Sequence, residues 1–234
     1  MMRVPKKVLF LVLTTALLLF QSFNFAEIEL PYSGENPALS IASDDLPLVR
    51  PVSFGNLQDV SQADLRVSKV DELDSFVQSL IDGSAGTIRG LFVEDKFAYP
   101  VVQQPSGNAG FVSTTEEVVT DFAMPRQYGV TGLLAHNYLA GADFFSLNIG
   151  DLIQVVYGDG SIQVYRIADI QSYQALSPSS ASSNFVDLAT SDQLTATQLF
   201  KRVYMGSHHL TLQTCIQQGS EDSWGRLFII AYPV

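Results

Sequence analysis

Thr211-Leu212-Gln213-Thr214-Cys215 holds the only cysteine of the chain, and Arg226 stands eleven residues further on, at the head of an apolar run, Leu227-Phe228-Ile229-Ile230-Ala231-Tyr232. The ten residues between, 216–225, are mostly polar or small. Two apolar runs joined in this way read as the arms of a hairpin. Such a hairpin returns Arg226 to the neighbourhood of Cys215.

Working outward, the same pattern recurs. Residues 88–93, 98–103, 132–135, 152–157 and 162–170 are short runs rich in Val, Ile, Leu, Phe and Tyr, separated by turn residues. Gly158-Asp159-Gly160 between two of them is a hairpin signal. One helical interruption is expected over residues 192–204, with Leu194, Leu199, Val203 and Tyr204 as its buried positions. Many short strands and few helices predict an all-β domain, a barrel or a sandwich, over residues 87–234. Upstream, Leu73, Phe76, Val77, Leu80 and Ile81 recur at helical spacing. They predict a short amphipathic helix within residues 69–86, ended by Gly83 and Gly86 and docked on the β domain downstream.

The N-terminus has a different character. Arg3, Lys6 and Lys7 precede an uncharged apolar run over residues 8–20. This is the pattern of a secretory signal or a signal anchor. Thirteen residues are short for a spanning helix, which needs roughly 20. Extension to Ala26 would allow a span, and cleavage after Ala26 is the other option. Either way the remainder is expected outside the cytoplasm. Residues 27–68, with Pro31, Pro37, Pro47 and Pro51 and no regular period, read as a spacer. Beyond Ala26, 10 basic residues face 24 acidic ones, a balance of −14. That surface argues against nucleic-acid and anionic-lipid binding and suits solubility outside the cell.

An exported chain with one thiol has no internal disulfide, so Cys215 is a candidate nucleophile. A thiol attacks a carbonyl as its thiolate, which needs a base or a cation nearby. On a strand over residues 210–215, His209 is six residues from Cys215, roughly 20 Å away, and His208 points to the other face. Both are expected in the turn entering the strand, partly exposed. His136 follows the apolar run Gly132-Leu133-Leu134-Ala135 at what would be a barrel rim, and it is the remaining candidate base. Arg226 is either the cation that serves the thiol and an oxyanion, or a rim arginine paired with Glu221 or Asp222. No metal site, phosphate loop or other cofactor site is read from the spacing of histidines, cysteine, acids or glycines.

The string Thr211-Leu212-Gln213-Thr214-Cys215, with Arg226 opening the last strand, resembles the signature of sortases, bacterial cysteine transpeptidases. Leu134-Ala135-His136-Asn137 resembles the family's histidine segment, although sortases usually carry Gly where this chain has Ala135. Phe144-Phe145-Ser146-Leu147, Gly150-Asp151-Leu152-Ile153-Gln154-Val155, Tyr165-Arg166-Ile167 and Tyr99-Pro100-Val101-Val102 look like further family elements, so the resemblance covers residues 88–234. Met124-Pro125-Arg126-Gln127-Tyr128-Gly129-Val130 stands in place of the family's usual Pro-Gly and Gly-Asn pieces.

The resemblance implies a closed β-barrel of seven or eight strands with short helices. It implies cleavage of a sorting signal through a thioacyl-enzyme and transfer of the acyl group to an amine. Cys215 would be the nucleophile, His136 the general acid and base, and Arg226 the group that positions the carbonyl and stabilises the oxyanion. Thr214 would line the substrate site. Partners would be a substrate protein with a sorting signal and an amine acceptor at the cell surface, with the N-terminal segment in the membrane. The alternative is a surface protein of this fold that hydrolyses peptide or only binds it.

Overall fold

In the computed structural model, residues 71–180 and 182–234 are described. The leader over residues 1–26 and the spacer over residues 27–68 lie outside them. Among the described residues, no helix is long and apolar enough to cross a membrane.

The described residues open with the helix α1 (residues 71–80). The strands follow as β1 (Ile88–Val93), β2 (Phe97–Gln103), β3 (Val119–Phe122), β4 (Thr131–Leu134), β5 (Leu152–Tyr157), β6 (Ile162–Ala175), β7 (Phe185–Asp187) and β8 (Gln193–Leu194). Helix α2 (Ala196–Tyr204) precedes the last pair, β9 (Leu210–Gln218) and β10 (Glu221–Pro233). The spatial order is β10-β9-β4-β3-β2-β1-β5-β6, and pairing of β10 with β6 closes these eight strands into a barrel. β7 and β8 extend the sheet beyond β6. Most pairs are antiparallel, but β2–β3 and β4–β9 are parallel. The closed barrel settles the choice left open between barrel and sandwich.

Why the run at the head of the hairpin is continuously apolar is now explicable. Leu227, Ile229 and Ala231 pack into the barrel interior with Leu133, Leu210 and Leu212. Phe228 and Ile230 point outward into a second core with Leu134, Tyr173, Leu199, Val203 and Tyr204. A strand buried on both faces has no reason to alternate. The outer core exists because α2 lies over that face. Nine residues are too few to hold a helix alone. Burial of Leu199, Val203 and Tyr204 stabilises it, at roughly 1.5–3 kcal/mol for a fully buried apolar side chain. Its start is fixed by a capping box: Gln198 N donates to Thr195 Oγ1 and Thr195 N donates to the Gln198 side chain.

Several boundaries differ from expectation. The predicted helix over residues 192–204 is shorter, because Gln193 and Leu194 pair with β7 instead. β6 runs on to Ala175, since β10 and then β7 supply its partners there. The ten residues 216–225 are not a wide loop. β9 continues to Gln218 and β10 begins at Glu221, leaving Gly219 and Ser220 as the turn. A register shift between Glu221 and Gly225 absorbs the surplus residues on the β10 side. α1 docks as expected, with Leu80 and Phe76 resting over Gly90 of β1, where an added Cβ would come within 2.4 Å of Leu80 Cδ1.

Candidate active site

Two registers determine what stands beside Cys215. In the antiparallel pair of β9 with β10, Cys215 lies directly opposite Arg226. In the parallel pair of β9 with β4, Leu134 lies opposite Gln213. The chain keeps this alignment past the end of β4, where Ala135 N donates to Gln213 O at 3.2 Å and Thr214 Oγ1 donates to Ala135 O at 2.9 Å. Two residues beyond the Leu134–Gln213 pair stand His136, already in the turn that leaves β4, and Cys215 on β9. Strands lie about 4.8 Å apart, so Cys215 and Arg226 stand side by side in one row across the sheet.

Pleating fixes the face of that row. Leu212 turns into the barrel. Gln213 is paired with Leu134 and Phe228, which face the outer core. Two residues along each strand the direction repeats. Cys215 and Arg226 therefore project from the outer wall of the barrel, and they and His136 are half-buried.

His136 sits in a tight turn, its carbonyl accepting hydrogen bonds from Leu139 N and Gly141 N, each at 3.0 Å. Burial holds the imidazole below its ordinary pKa, opposed by a hydrogen bond to the Val112 backbone. The neutral ring is thereby favoured.

Arg226 Nη1 donates to Ser223 O at 2.9 Å and to Gly225 O at 2.7 Å. The guanidinium is anchored on main-chain carbonyls of its own strand. The Glu221 carboxylate instead accepts from Ser223 N. Asn137 Nδ2 donates to Asp222 O at 3.1 Å, so the turn after His136 is tied to the same arm of the hairpin.

The Thr214 side chain is buried and engaged with the Ala135 carbonyl, on the face of β9 opposite to Cys215, which leaves its backbone as the part beside the thiol. It is a strut between the peptide that precedes His136 and the peptide that precedes Cys215. Thr214→Val should leave that carbonyl unpaired and cost about 1–3 kcal/mol in urea unfolding, whereas Thr214→Ser should cost much less.

Gly141 packs against the same strut. A Cβ there would lie 2.3 Å from Thr214 Oγ1, 2.7 Å from His136 O and 2.9 Å from Ala135 O. Two of these three atoms are rigid backbone. Gly141→Ala should destabilise the fold by about 1–3 kcal/mol and displace the His136 turn, read as a lower melting temperature together with a changed His136 ring resonance. Sequence reasoning passed over this glycine, since nothing local distinguishes it from an ordinary turn glycine.

The other histidines lie away from this row. His208 bridges Tyr165 Oη, at 3.0 Å, and Gly129 O, at 2.8 Å. His209 was expected to be partly exposed but is buried, its ring nitrogens facing Ser207 O at 2.7 Å and Val203 O at 3.1 Å. The end of α2 folds over it, and a backbone carbonyl accepts from its ring N–H.

No family model and no curated protein sequence matches the chain. Similar solved structures include sortase C1 from Streptococcus suis, at 14% identity over 79% of this chain and 89% of that one, with a TM-score of 0.43. Sortase A of Listeria monocytogenes is similar at 11% identity over 63% and 87%, with a TM-score of 0.41. Sortase C from Clostridium perfringens SM101 is similar at 12% identity over 76% and 99%, with a TM-score of 0.37.

Proposed function

We propose that this chain is a sortase-type cysteine transpeptidase, with residues 87–234 as its catalytic domain. The single observation that supports the reading is the pairing of Cys215 with Arg226, with His136 and Cys215 each two residues past the Leu134–Gln213 pair; in this reading thiol, imidazole and guanidinium form one row. In this reading neutral His136 takes the proton of the Cys215 thiol, and the thiolate attacks the scissile carbonyl carbon of a sorting peptide. Arg226 stabilises the oxyanion with its remaining guanidinium N–H groups. The C–N bond breaks as the His136 imidazolium protonates the departing amine, leaving a thioester on Cys215. An incoming primary amine then attacks the thioester and gives its proton to His136. The C–S bond breaks, the thiolate returns, and a new amide leaves.

The outward aspect of the row suits a macromolecular substrate, since a peptide can lie across an open wall. Substrate would be a protein bearing a sorting signal, and acceptor an amine at the cell surface. The charged and apolar leader supports an extracytoplasmic position, with the N-terminal segment as anchor if it is retained. The test is incubation of the full chain with a peptide library and a labelled primary amine, followed by mass spectrometry. Amide product with a Cys215 thioester supports transfer. Free acid with the thioester assigns hydrolysis instead, and peptide retention without a covalent adduct assigns binding alone.

A further inference from the structure

The turn leaving β4 reads His136-Asn137-Tyr138, and the third residue is unusually placed. The Tyr138 ring stacks on the His136 ring with centroids 5.1 Å apart and planes inclined by 21°. Yet Tyr138 is 54% exposed. An aromatic side chain with over half its surface in water adds little to the fold by burial. Among the described residues its one aromatic contact is the imidazole. Asn137 between them is bonded to the hairpin arm, which holds the turn in place. The imidazole is half-buried, and the stacked phenol covers one of its faces.

We propose that Tyr138 is a positioning residue for His136: its ring holds the imidazole plane over the row and keeps water from one face of it. The inference rests on the reading of His136 as acid and base, but the cover itself is a property of the folded chain. The titratable and charged groups on the elements nearest the turn are the Cys215 thiol on β9, the Arg226 guanidinium on β10 and the carboxylate of Asp222, whose backbone carbonyl accepts from Asn137 Nδ2. The segment before β3 supplies a backbone hydrogen bond at Val112. Water withheld from the ring disfavours its charged form, in the same direction as the observed shift. Loss of the cover must therefore raise the titration midpoint.

The test is NMR titration of the histidine rings of the full chain, with the His136 signal assigned through His136→Gln. In Tyr138→Ala the His136 midpoint should move up toward that of free imidazole. In Tyr138→Phe, which keeps the ring, it should stay at the wild-type value. In peptide cleavage, Tyr138→Ala should lower kcat about three- to tenfold with KM within about twofold, the size of a lost aromatic pair. Tyr138→Phe should retain wild-type kcat. An unmoved midpoint in Tyr138→Ala, or an equal shift in Tyr138→Phe, overturns the proposal. The midpoints need no substrate, so they decide the cover even if the chain transfers no acyl group. An active enzyme with unmoved midpoints would lose only the cover.

Discussion

Cys215→Ala is expected to abolish peptide cleavage and amide formation, a loss of about 10⁴-fold or more, and to remove the thioester from the mass spectrum. The fold should survive. Cys215 is half-buried, and its strand is held by β4 on one side and β10 on the other. Its neighbours Thr214 and Gln213 carry the local contacts, to Ala135 O and to Tyr204 Oη respectively. Removal of one sulfur from the outer wall therefore leaves both cores intact. A melting temperature close to wild type, with activity gone, would assign the loss to chemistry. Residual turnover near the wild-type rate would end the nucleophile assignment. Cys215→Ser adds a sharper check: an alkoxide is harder to form than a thiolate, so activity should fall nearly as far.

How much of this was legible in the chain depends on the range of each contact. Cys215 and Arg226 are local partners, and two apolar runs separated by polar residues sufficed to pair them. The length of the turn was not legible, because Ile216, Gln217 and Gln218 continue β9 with mixed polarity. Their pairing partners lie on an arm whose register shifts between Glu221 and Gly225. Strand β3 was missed for a different reason. Val119, Thr120, Asp121 and Phe122 are all buried, but two of the four are polar. Thr120 Oγ1 accepts from Ser113 N and Asp121 pairs with Arg126, so burial there is offset by hydrogen bonds that no hydrophobic pattern announces.

The juxtaposition proposed for His136 and Cys215, 79 positions apart in the chain, depends on the parallel pairing of β4 with β9. Parallel pairing leaves no turn signal, so composition and period place His136 at a rim without saying whose rim it is. Only the resemblance of the histidine segment to a known family linked the two. Tyr138 and Gly141 belong to the same class of invisible feature. Their significance lies in the atoms they touch across space.

Arg226→Lys should lower kcat/KM about 10²- to 10³-fold, the usual scale for loss of an oxyanion donor. The argument turns on how many bonds the side chain must make at once. Arg226 Nη1 is committed to Ser223 O and Gly225 O, which holds the guanidinium at the edge of the row. The planar fork still leaves N–H groups at Nη2 and Nε for a developing negative charge. Lysine carries one nitrogen. An ammonium that replaces the anchor is drawn toward the hairpin carbonyls, and one that reaches the oxyanion abandons them. Charge is conserved and geometry is not, so the effect should fall on kcat while peptide affinity changes little. Thermal unfolding should remain near wild type, because strand pairing of β10 with β6 and β9 does not pass through this side chain. Steady-state cleavage with a saturating amine, with and without the substitution, measures the ratio. A rate unchanged by lysine would mean that positive charge alone is required at position 226, or none at all, and the oxyanion would then need donors from the backbone of β9.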